Sequence, residues 1–264
     1  SGLRILVAED NSINQEIARD VLENAGVEVE VAKDGREALD AAHADKFDLI
    51  LMDVQMPNMD GFEATYRIRE DLNESAPPIV AMTAHALEGD QERCMRAGMA
   101  GYVSKPIKQE VLYKTIHNVI EKDRKKEASS SLELETAQKK GPEDKSPTRF
   151  VPDKSVVDME AALEDLGVGE EAILRVLGKF RDKYKDVLKD FRSLADSGDW
   201  TAFHDLAHSL KGSSGQLRVK LVQEAAYVLE RETKTGTVDD AAVKKGLSEL
   251  DAAINRMVQE LKDI

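Results

Sequence analysis

Acidic, hydroxyl and basic side chains follow the apolar runs in the first half of the chain. Glu9 and Asp10 follow the first run, Asp53 the third, Thr83 the fourth and Lys105 the fifth. Ligands of an open parallel α/β sheet bind beyond the carboxyl ends of the strands, so we expect these side chains to meet at one edge of a sheet. Three carboxylates there would repel one another without a cation, and an all-oxygen site suits Mg²⁺. The sequence therefore predicts a magnesium site.

The same residues suit phosphoryl transfer, in which catalysis consists mostly of positioning and of neutralising charge on the phosphoryl oxygens. In this hypothesis Asp53 is the carboxylate nucleophile, and Glu9 and Asp10 hold the metal ion. Thr83 and Lys105 bind the phosphoryl oxygens. Each acid taken alone could instead be a turn residue or a helix N-cap. The hypothesis therefore depends on the order of all the strand-end signals together.

Repeated βα units would position these residues. The apolar runs alternate with amphipathic stretches, which is the pattern of a parallel sheet covered by helices. The third run is nearly continuous in apolar residues, as in a central strand, whereas the second alternates valines with glutamates, as in an edge strand. The predicted strands are 4–8, 27–31, 48–52, 79–82 and 102–103.

Four segments of this region resemble, in order, the motifs of response-regulator receiver domains. They are Val7–Asn11, Met52–Gly61, Met82–Ala84 and Ser104–Pro106. The resemblance covers about residues 3–122 and implies a doubly wound, flavodoxin-like α/β fold with a five-stranded parallel sheet of order 2-1-3-4-5. It also implies that the Gln55 carbonyl binds the metal and that Thr83 and Tyr102 form a phosphorylation switch. Tyr102 could instead serve only sheet packing.

The composition changes after this region. Between about residues 121 and 152 the apolar residues give way to Lys, Glu, Ser and Pro, which predicts a flexible charged linker. We place the receiver domain at 1–122, the linker at 123–152 and a second domain at 153–264. The second domain has helical spacing throughout, so we expect four or five helices in an antiparallel all-α bundle.

A second candidate site lies on one predicted helix of this bundle. Phe203, Leu206, Ala207 and Leu210 form its apolar face. His208 lies about 150° from the centre of that face, so we expect its imidazole to point to solvent. Gly212 and Gly215 follow at i+4 and i+7, and Lys211 is near enough to interact with a phosphoryl group on His208. The glycines indicate either a helix end or a surface kept clear for a partner.

The run Ala207–Leu217 resembles the active-site helix of histidine-phosphotransfer (HPt) domains. The resemblance extends over about residues 155–264 and implies a four-helix bundle with His208 as a phosphoryl carrier. Many relatives have a glycine after the equivalent of Leu217. Arg218 stands there in this chain, which leaves the helix exit and the partner preference open.

A zinc hydrolase is an alternative for the same helix. His204 and His208 have the i, i+4 spacing of a zincin, with Asp205 in place of the usual glutamate. The sequence offers no evident third ligand, and aspartate is one methylene shorter than the expected base.

The order of the two domains resembles the carboxy-terminal part of tripartite hybrid sensor histidine kinases. The resemblance implies that a phosphoryl group arrives at Asp53 from an upstream histidine kinase, passes to His208 and leaves for a separate response-regulator receiver. The sequence contains no P-loop or usual glycine-rich phosphate lid, so we expect transfer without ATP-dependent kinase activity. In the alternative, phosphorylation switches the receiver surface and the helical domain is only a docking module.

Composition limits the other function classes. The chain has 51 acidic and 37 basic residues and a net charge of −14, which disfavours direct nucleic-acid binding. The single cysteine, Cys94, cannot form an internal disulfide, and we find no apolar run of roughly 20 residues that would span a membrane. We therefore expect a cytoplasmic location.

Overall fold

The computed structural model describes residues 2–83, 88–128, 152–233 and 238–264. Its amino-terminal domain is a parallel five-stranded sheet of order β2-β1-β3-β4-β5, which confirms the predicted topology. The strands are β1 (Arg4–Ala8), β2 (Glu28–Ala32), β3 (Leu49–Asp53), β4 (Ile79–Thr83) and β5 (Gly101–Ser104). Predicted and observed boundaries differ by at most one residue.

Helices cover both faces of this sheet. They are α1 (Ser12–Asn24), α2 (Gly35–Ala44), α3 (Gly61–Leu72), α4 (Glu88–Arg96) and α5 (Gln109–Ala128). Central strand β3 is buried along its whole length, whereas edge strand β2 is largely half-buried. This difference matches the continuous and alternating apolar patterns of the two strands.

The strand register brings the carboxyl ends of the central strands to one edge. Asp53 pairs with Met82 of β4, and Thr83 pairs with Ser104 of β5. Helix α1 begins beside this edge because the Asn11 side chain accepts a hydrogen bond from the Ile13 N–H, an N-cap.

The carboxy-terminal domain is all-helical. Its helices are α6 (Met159–Leu166), α7 (Glu170–Tyr184), α8 (Val187–Ser197), α9 (Trp200–Gln216), α10 (Lys220–Thr233) and α11 (Asp240–Glu260). The expectation of four or five helices was wrong for the described residues, which form six. A break at Lys185 and Asp186 separates α7 from α8, and Gly167 in the left-handed conformation ends the short α6. Helices α8, α9, α10 and α11 pack in a ring, which is the four-helix bundle.

The two domains pack against each other through α1 and α5. Ile17 of α1 lines a small cavity together with Leu166, Ile173 and Leu217 of the helical domain. Ion pairs between α1 and α7 surround this contact: Arg175 with Asp20 at 2.8 Å, and Lys179 with Glu16 at 2.7 Å. One hydrophobic cluster continues from a face of the sheet into the bundle, and a second occupies the opposite face of the sheet.

The predicted linker lies mostly outside the described residues. Helix α5 continues to Ala128, six residues past the predicted end of the receiver domain, and residues 129–151 are not described. The domain boundaries therefore stay predictions. Within the described ranges, no helix has both the length and the apolar composition to cross a membrane.

Candidate functional site

Three carboxylates meet at the carboxyl edge of the sheet, as the sequence predicts. Ligand atoms of Glu9, Asp10 and Asp53 all lie within 4.8 Å of one another. Glu9 is 1% exposed and Asp53 is 6% exposed, while Asp10 is the most exposed of the three. Among the residues that the structure describes, this is the only group of three or more His, Cys, Asp or Glu side chains with that geometry.

Lys105 lies within this cluster. Its Nζ is 2.5 Å from Glu9 Oε2 and 2.5 Å from Asp53 Oδ2. Burial alone would lower the pKa of Lys105, but the charges of Asp53 and Glu9 raise it above its ordinary value. Lys105 therefore carries its positive charge in this site and neutralises part of the carboxylate charge.

Burial also changes the pKa of Asp53, the carboxylate nucleophile that the sequence predicts. Burial raises the pKa of Asp53 to about 7, because the stabilising charge of Lys105 does not offset the loss of water and the repulsion from Glu9. Desolvation and the charge of Glu9 also raise the pKa of Asp10. The site thus holds more negative charge than one lysine can balance, and its all-oxygen donor set fits a hard divalent cation.

The other predicted receiver residues surround this cluster. Thr83 is buried at the end of β4, and its carbonyl accepts a hydrogen bond from the Lys105 N–H at 2.7 Å. The Gln55 N–H donates to Asp53 Oδ1 at 3.2 Å. Tyr102 is half-buried in β5 and packs against the hydrophobic cluster on the face of the sheet away from the helical domain. Its role in a switch stays a prediction.

His208 lies on α9, but its side chain is only partly exposed. The expectation that its imidazole points freely to solvent was therefore wrong. The side chain is 23% exposed, and its Nδ1 lies 2.5 Å from Glu230 Oε1 on α10. Lys211 Nζ donates to both carboxylate oxygens of Glu230, at 2.8 and 2.7 Å. The predicted pair of His208 and Lys211 is therefore bridged by a buried acid.

Glu230 determines which nitrogen of His208 is available for chemistry. Burial acts to raise the pKa of Glu230, but the hydrogen bonds from His208 and Lys211 outweigh it and lower the pKa to about 2. An ionised carboxylate can only accept hydrogen bonds, so Nδ1 of His208 must carry the shared hydrogen. In the neutral ring the lone pair then resides on Nε2, which is the nucleophilic atom.

Sequence reasoning missed Glu230. It lies 22 positions after His208 on another helix, and no local spacing connects them. One signal was present: Glu230 falls on the face of α10 formed by Val222, Ala225, Ala226, Leu229 and Thr233, all buried. A glutamate on such a face is unusual unless it is paired.

The two glycines after His208 have different surroundings. Gly212 lies inside α9, which continues to Gln216, so the alternative of a helix end at Gly212 was wrong. The nearest atom to a Cβ added there would be Nδ2 of Asn14, in α1, at 4.0 Å. Gly215 instead faces α10, where an added Cβ would lie 2.7 Å from Gln223 Nε2. Only Gly212 thus lies towards the receiver domain.

The geometry does not favour the zinc alternative. His204 Nδ1 lies 3.1 Å from the backbone oxygen of Glu230 and 3.3 Å from the Thr233 hydroxyl. Neither His204 nor His208 belongs to a group of three close potential ligands within the part of the chain that the structure describes.

Residues next to the two sites are in direct contact. Asn11 follows Asp10, and its Nδ2 donates to Oγ of Ser209, the residue after His208, at 2.7 Å. Asn14, the receiver residue beside Gly212, donates to Glu9 Oε1 at 3.0 Å. The helix that carries His208 is therefore docked at the edge of the acidic cluster.

Two families match this chain in consecutive segments. Residues 5–117 match the family described as "Response regulator receiver domain", and residues 175–263 match the family described as "Hpt domain".

Relatives show both the single domain and the combination. The response regulator DivK of Brucella anthropi is 38% identical over 116 residues, which are 44% of this chain and 94% of DivK. The histidine-protein kinase BarA of Escherichia coli is 28% identical over 253 residues, 96% of this chain. The chain spans only about a quarter of the length of BarA.

A similar solved structure is the receiver domain of a sensor histidine kinase of Pseudomonas aeruginosa, crystallised with a magnesium ion in its active site cleft. It is 40% identical to this chain, covers 46% of this chain and 99% of its own, and has a TM-score of 0.43. The similarity to DivK, the two segment matches and the strand order show that the chain belongs to the response-regulator receiver family and continues into an Hpt domain, the pair of modules found in the phosphorelays of hybrid histidine kinases.

Proposed function

We propose that this chain relays a phosphoryl group between Asp53 of the receiver domain and His208 of the Hpt domain. The contact between Asn11 and Ser209 carries the proposal, because each of these residues adjoins one of the two sites. The phosphoryl group arrives from the phosphohistidine of an upstream histidine kinase and leaves for the receiver of a separate response regulator.

The receiver residues have distinct tasks in this proposal. Asp53 attacks the incoming phosphoryl group through a carboxylate oxygen, and Lys105 and Thr83 bind the phosphoryl oxygens. Glu9, Asp10, Asp53 and the backbone carbonyl of Gln55 would hold Mg²⁺, which would supply positive charge for the phosphoryl oxygens. Lys105 Nζ now contacts an oxygen of Asp53, where the phosphoryl group would be attached. Lys105 therefore has to shift from Asp53 to the phosphoryl group during transfer.

Transfer to the Hpt domain exchanges one bond for another. The Nε2 lone pair of His208 forms the new N–P bond as the P–O bond to Asp53 breaks, and the electron pair of that bond returns to the carboxylate. The imidazole gains positive charge, and the Glu230 carboxylate at Nδ1 stabilises it. No proton has to leave Nδ1 during this step.

The alternative of a phosphorylation-switched docking module explains less. Burying a charged carboxylate is costly unless it is paired. A domain that served only for docking would not need such a carboxylate beside His208. The arrangement of Glu230, His208 and Lys211 is accounted for by a histidine that carries a phosphoryl group.

The test uses the full chain with labelled acetyl phosphate and Mg²⁺. We expect base-labile acyl phosphate on Asp53 and base-stable, acid-labile phosphoramidate on His208. Asp53→Asn should abolish both labels, and His208→Gln should abolish only the second. Asp40→Asn, an exposed change of the same chemistry on α2, is the matched control. Unchanged labelling of the Asp53→Asn chain would refute the proposal.

A further inference from the structure

The loop after Lys105 is held by the far end of the helix that carries His208. Gln216, the last residue of α9, is 4% exposed and contacts Ile107 in the connection between β5 and α5. Its Oε1 accepts from the Ile107 N–H at 2.7 Å, and its Nε2 donates to the Ile107 carbonyl at 3.0 Å. One side chain thus satisfies both backbone groups of a receiver residue, as a neighbouring strand would.

An ion-pair network lies beside this contact. Asp165 of α6 binds Lys108, the next residue of the loop, with an Nζ to Oδ1 distance of 3.2 Å. Its other oxygen binds the guanidinium of Arg218. The helical domain therefore presents an acid, oriented by an arginine, to Lys108, the residue directly after Ile107.

Arg218 is held in a backbone conformation that is unfavourable for it. Its φ is 57°, in the left-handed region that glycine adopts easily and other residues rarely do. The turn between α9 and α10 would form more readily with glycine. The pair with Asp165 supplies a reason for an arginine, because its guanidinium reaches the oxygen of Asp165 that Lys108 does not bind.

The location of this contact connects it to the chemistry. Ile107 is two residues after Lys105, which lies between Glu9 and Asp53. Gln216 is eight residues after His208 on one continuous helix, about two helical turns. Holding Ile107 therefore fixes the loop that carries Lys105 relative to the helix that carries His208.

We propose that Gln216, Asp165 and Arg218 form a loop-recognition surface that docks the receiver domain of this chain for transfer. Gln216 recognises the backbone of the loop, so the residue at position 107 must have a free N–H. Asp165 recognises a basic side chain at position 108. This inference rests on the proposed function and deepens it, because it names the contacts that hold the receiver domain against the helix that carries His208.

Two measurements on the full chain test the surface. Hydrogen–deuterium exchange of a peptide containing residues 105–108 reports on the Ile107 contact without any phosphoryl chemistry. The share of incorporated label that becomes base-stable reports on transfer to His208, and the base-labile label reports on Asp53. The variants are Gln216→Ala, the more conservative Gln216→Glu, and Lys108→Glu.

We expect Gln216→Ala and Lys108→Glu to accelerate exchange at residues 105–108. All three variants should lower the base-stable share by about tenfold without reducing the base-labile label on Asp53, since Gln216→Glu keeps the acceptor for the Ile107 N–H but sets a carboxylate against the Ile107 carbonyl. Lys108→Glu combined with Asp165→Asn should recover much of the transfer, because Arg218 can then pair with the new glutamate. Lys46→Glu, at the opposite edge of the sheet, is the matched charge control and should change neither quantity.

The outcomes separate the two proposals. Wild-type protein that is labelled on Asp53 but never on His208 would overturn the relay itself. A wild-type relay with exchange and transfer unchanged in folded Gln216→Ala, Gln216→Glu and Lys108→Glu chains would overturn the recognition surface alone. Transfer that Asp165→Asn fails to restore in the Lys108→Glu chain would overturn the pair of Asp165 and Lys108 as a recognition contact.

Discussion

The two sites use carboxylates in opposite ways. In the receiver domain, burial and Glu9 raise the pKa of Asp53 to about 7 despite the contact with Lys105. In the Hpt domain, His208 and Lys211 lower the pKa of Glu230 to about 2 despite its burial. In the proposed relay, the carboxylate that reacts is thus only partly balanced by positive charge, whereas the carboxylate that supports the reacting imidazole is fully paired.

This difference also indicates what each site lacks by itself. The receiver site has three acids and one lysine, so an added cation and an added phosphoryl group can balance each other there. The Hpt site already has its acid paired with a lysine and an imidazole. We therefore expect the receiver site to depend on metal and the Hpt site not to.

Removing the metal ion should have the largest effect. With a chelator in excess over Mg²⁺, acceptance of label from acetyl phosphate should fall at least about a hundredfold, because the acids would repel the incoming phosphate. Label added to His208 beforehand should keep its lifetime under the same treatment. If the chelator left acceptance of label unchanged, the receiver site would not depend on a metal ion.

A side chain at Gly212 should affect transfer strongly and stability little. Gly212→Ala should stabilise the protein by up to about 1 kcal/mol, since the added Cβ has room beside Asn14. Gly212→Leu should leave the bundle folded and slow transfer to His208 by about a hundredfold, since displacing the docked receiver misaligns the reacting atoms. Thermal melts and the base-stable share of label measure the two effects.

Thr201→Leu, an exposed position at the start of α9, is the control for Gly212→Leu. It adds the same side chain to the same helix away from Asn14. If the folded Gly212→Leu chain transferred as fast as wild type, the face of α9 around Gly212 would not be the docking face.

Glu230→Gln should sharpen the contrast between the two carboxylates. Because the folded-state pKa of Glu230 is below its ordinary value of 4.5, its ionised form stabilises the protein above about pH 4.5, and this is lost as the pH falls towards 2. At neutral pH the free energy of unfolding of the variant should be up to about 3 kcal/mol below that of the wild type. Between pH 4.5 and 2 it should fall less than that of the wild type. Urea unfolding over this pH range measures both changes.

Transfer should respond to Glu230→Gln as well. A glutamine amide can donate to Nδ1 and so favour the wrong tautomer, which should lower the rate of His208 labelling by about tenfold. Glu224→Gln, exposed on the same helix, should leave stability and transfer unchanged. An unaltered pH dependence in the Glu230→Gln chain would show that its charge is not paired as described.

The sequence predicts the receiver site better than the Hpt site for a physical reason. In a parallel sheet the carboxyl ends of the strands share one edge, so a residue after each apolar run is placed by the run itself, as with Asp53 and Lys105. His208 could be found on its helix, but helical periodicity does not specify which neighbouring helix covers it. The partner Glu230, and hence the half-buried state of the imidazole, depends on how α9 and α10 pack.

The contact between the domains was the least predictable part. Gln216 binds backbone atoms of Ile107, and no pattern of side chains records such a contact. Arg218 was recognisable as a departure from the family, but its positive φ and its pair with Asp165 follow only from the turn geometry. Pairings across such large sequence separations are decided by tertiary packing.

The smallest effect should come from shortening the connection between the two sites. If residues 129–151 are flexible, as their composition predicts, these 23 residues have an r.m.s. reach of roughly 26 Å. Deleting a third of them should then change transfer within one chain by no more than about twofold, because the reach and the effective concentration change little.

Replacing the same third by Gly and Ser at constant length is the control. A deletion that stopped transfer, while the replacement did not, would show that length limits docking. Loss of transfer in both chains would mean that this segment contributes specific contacts of its own.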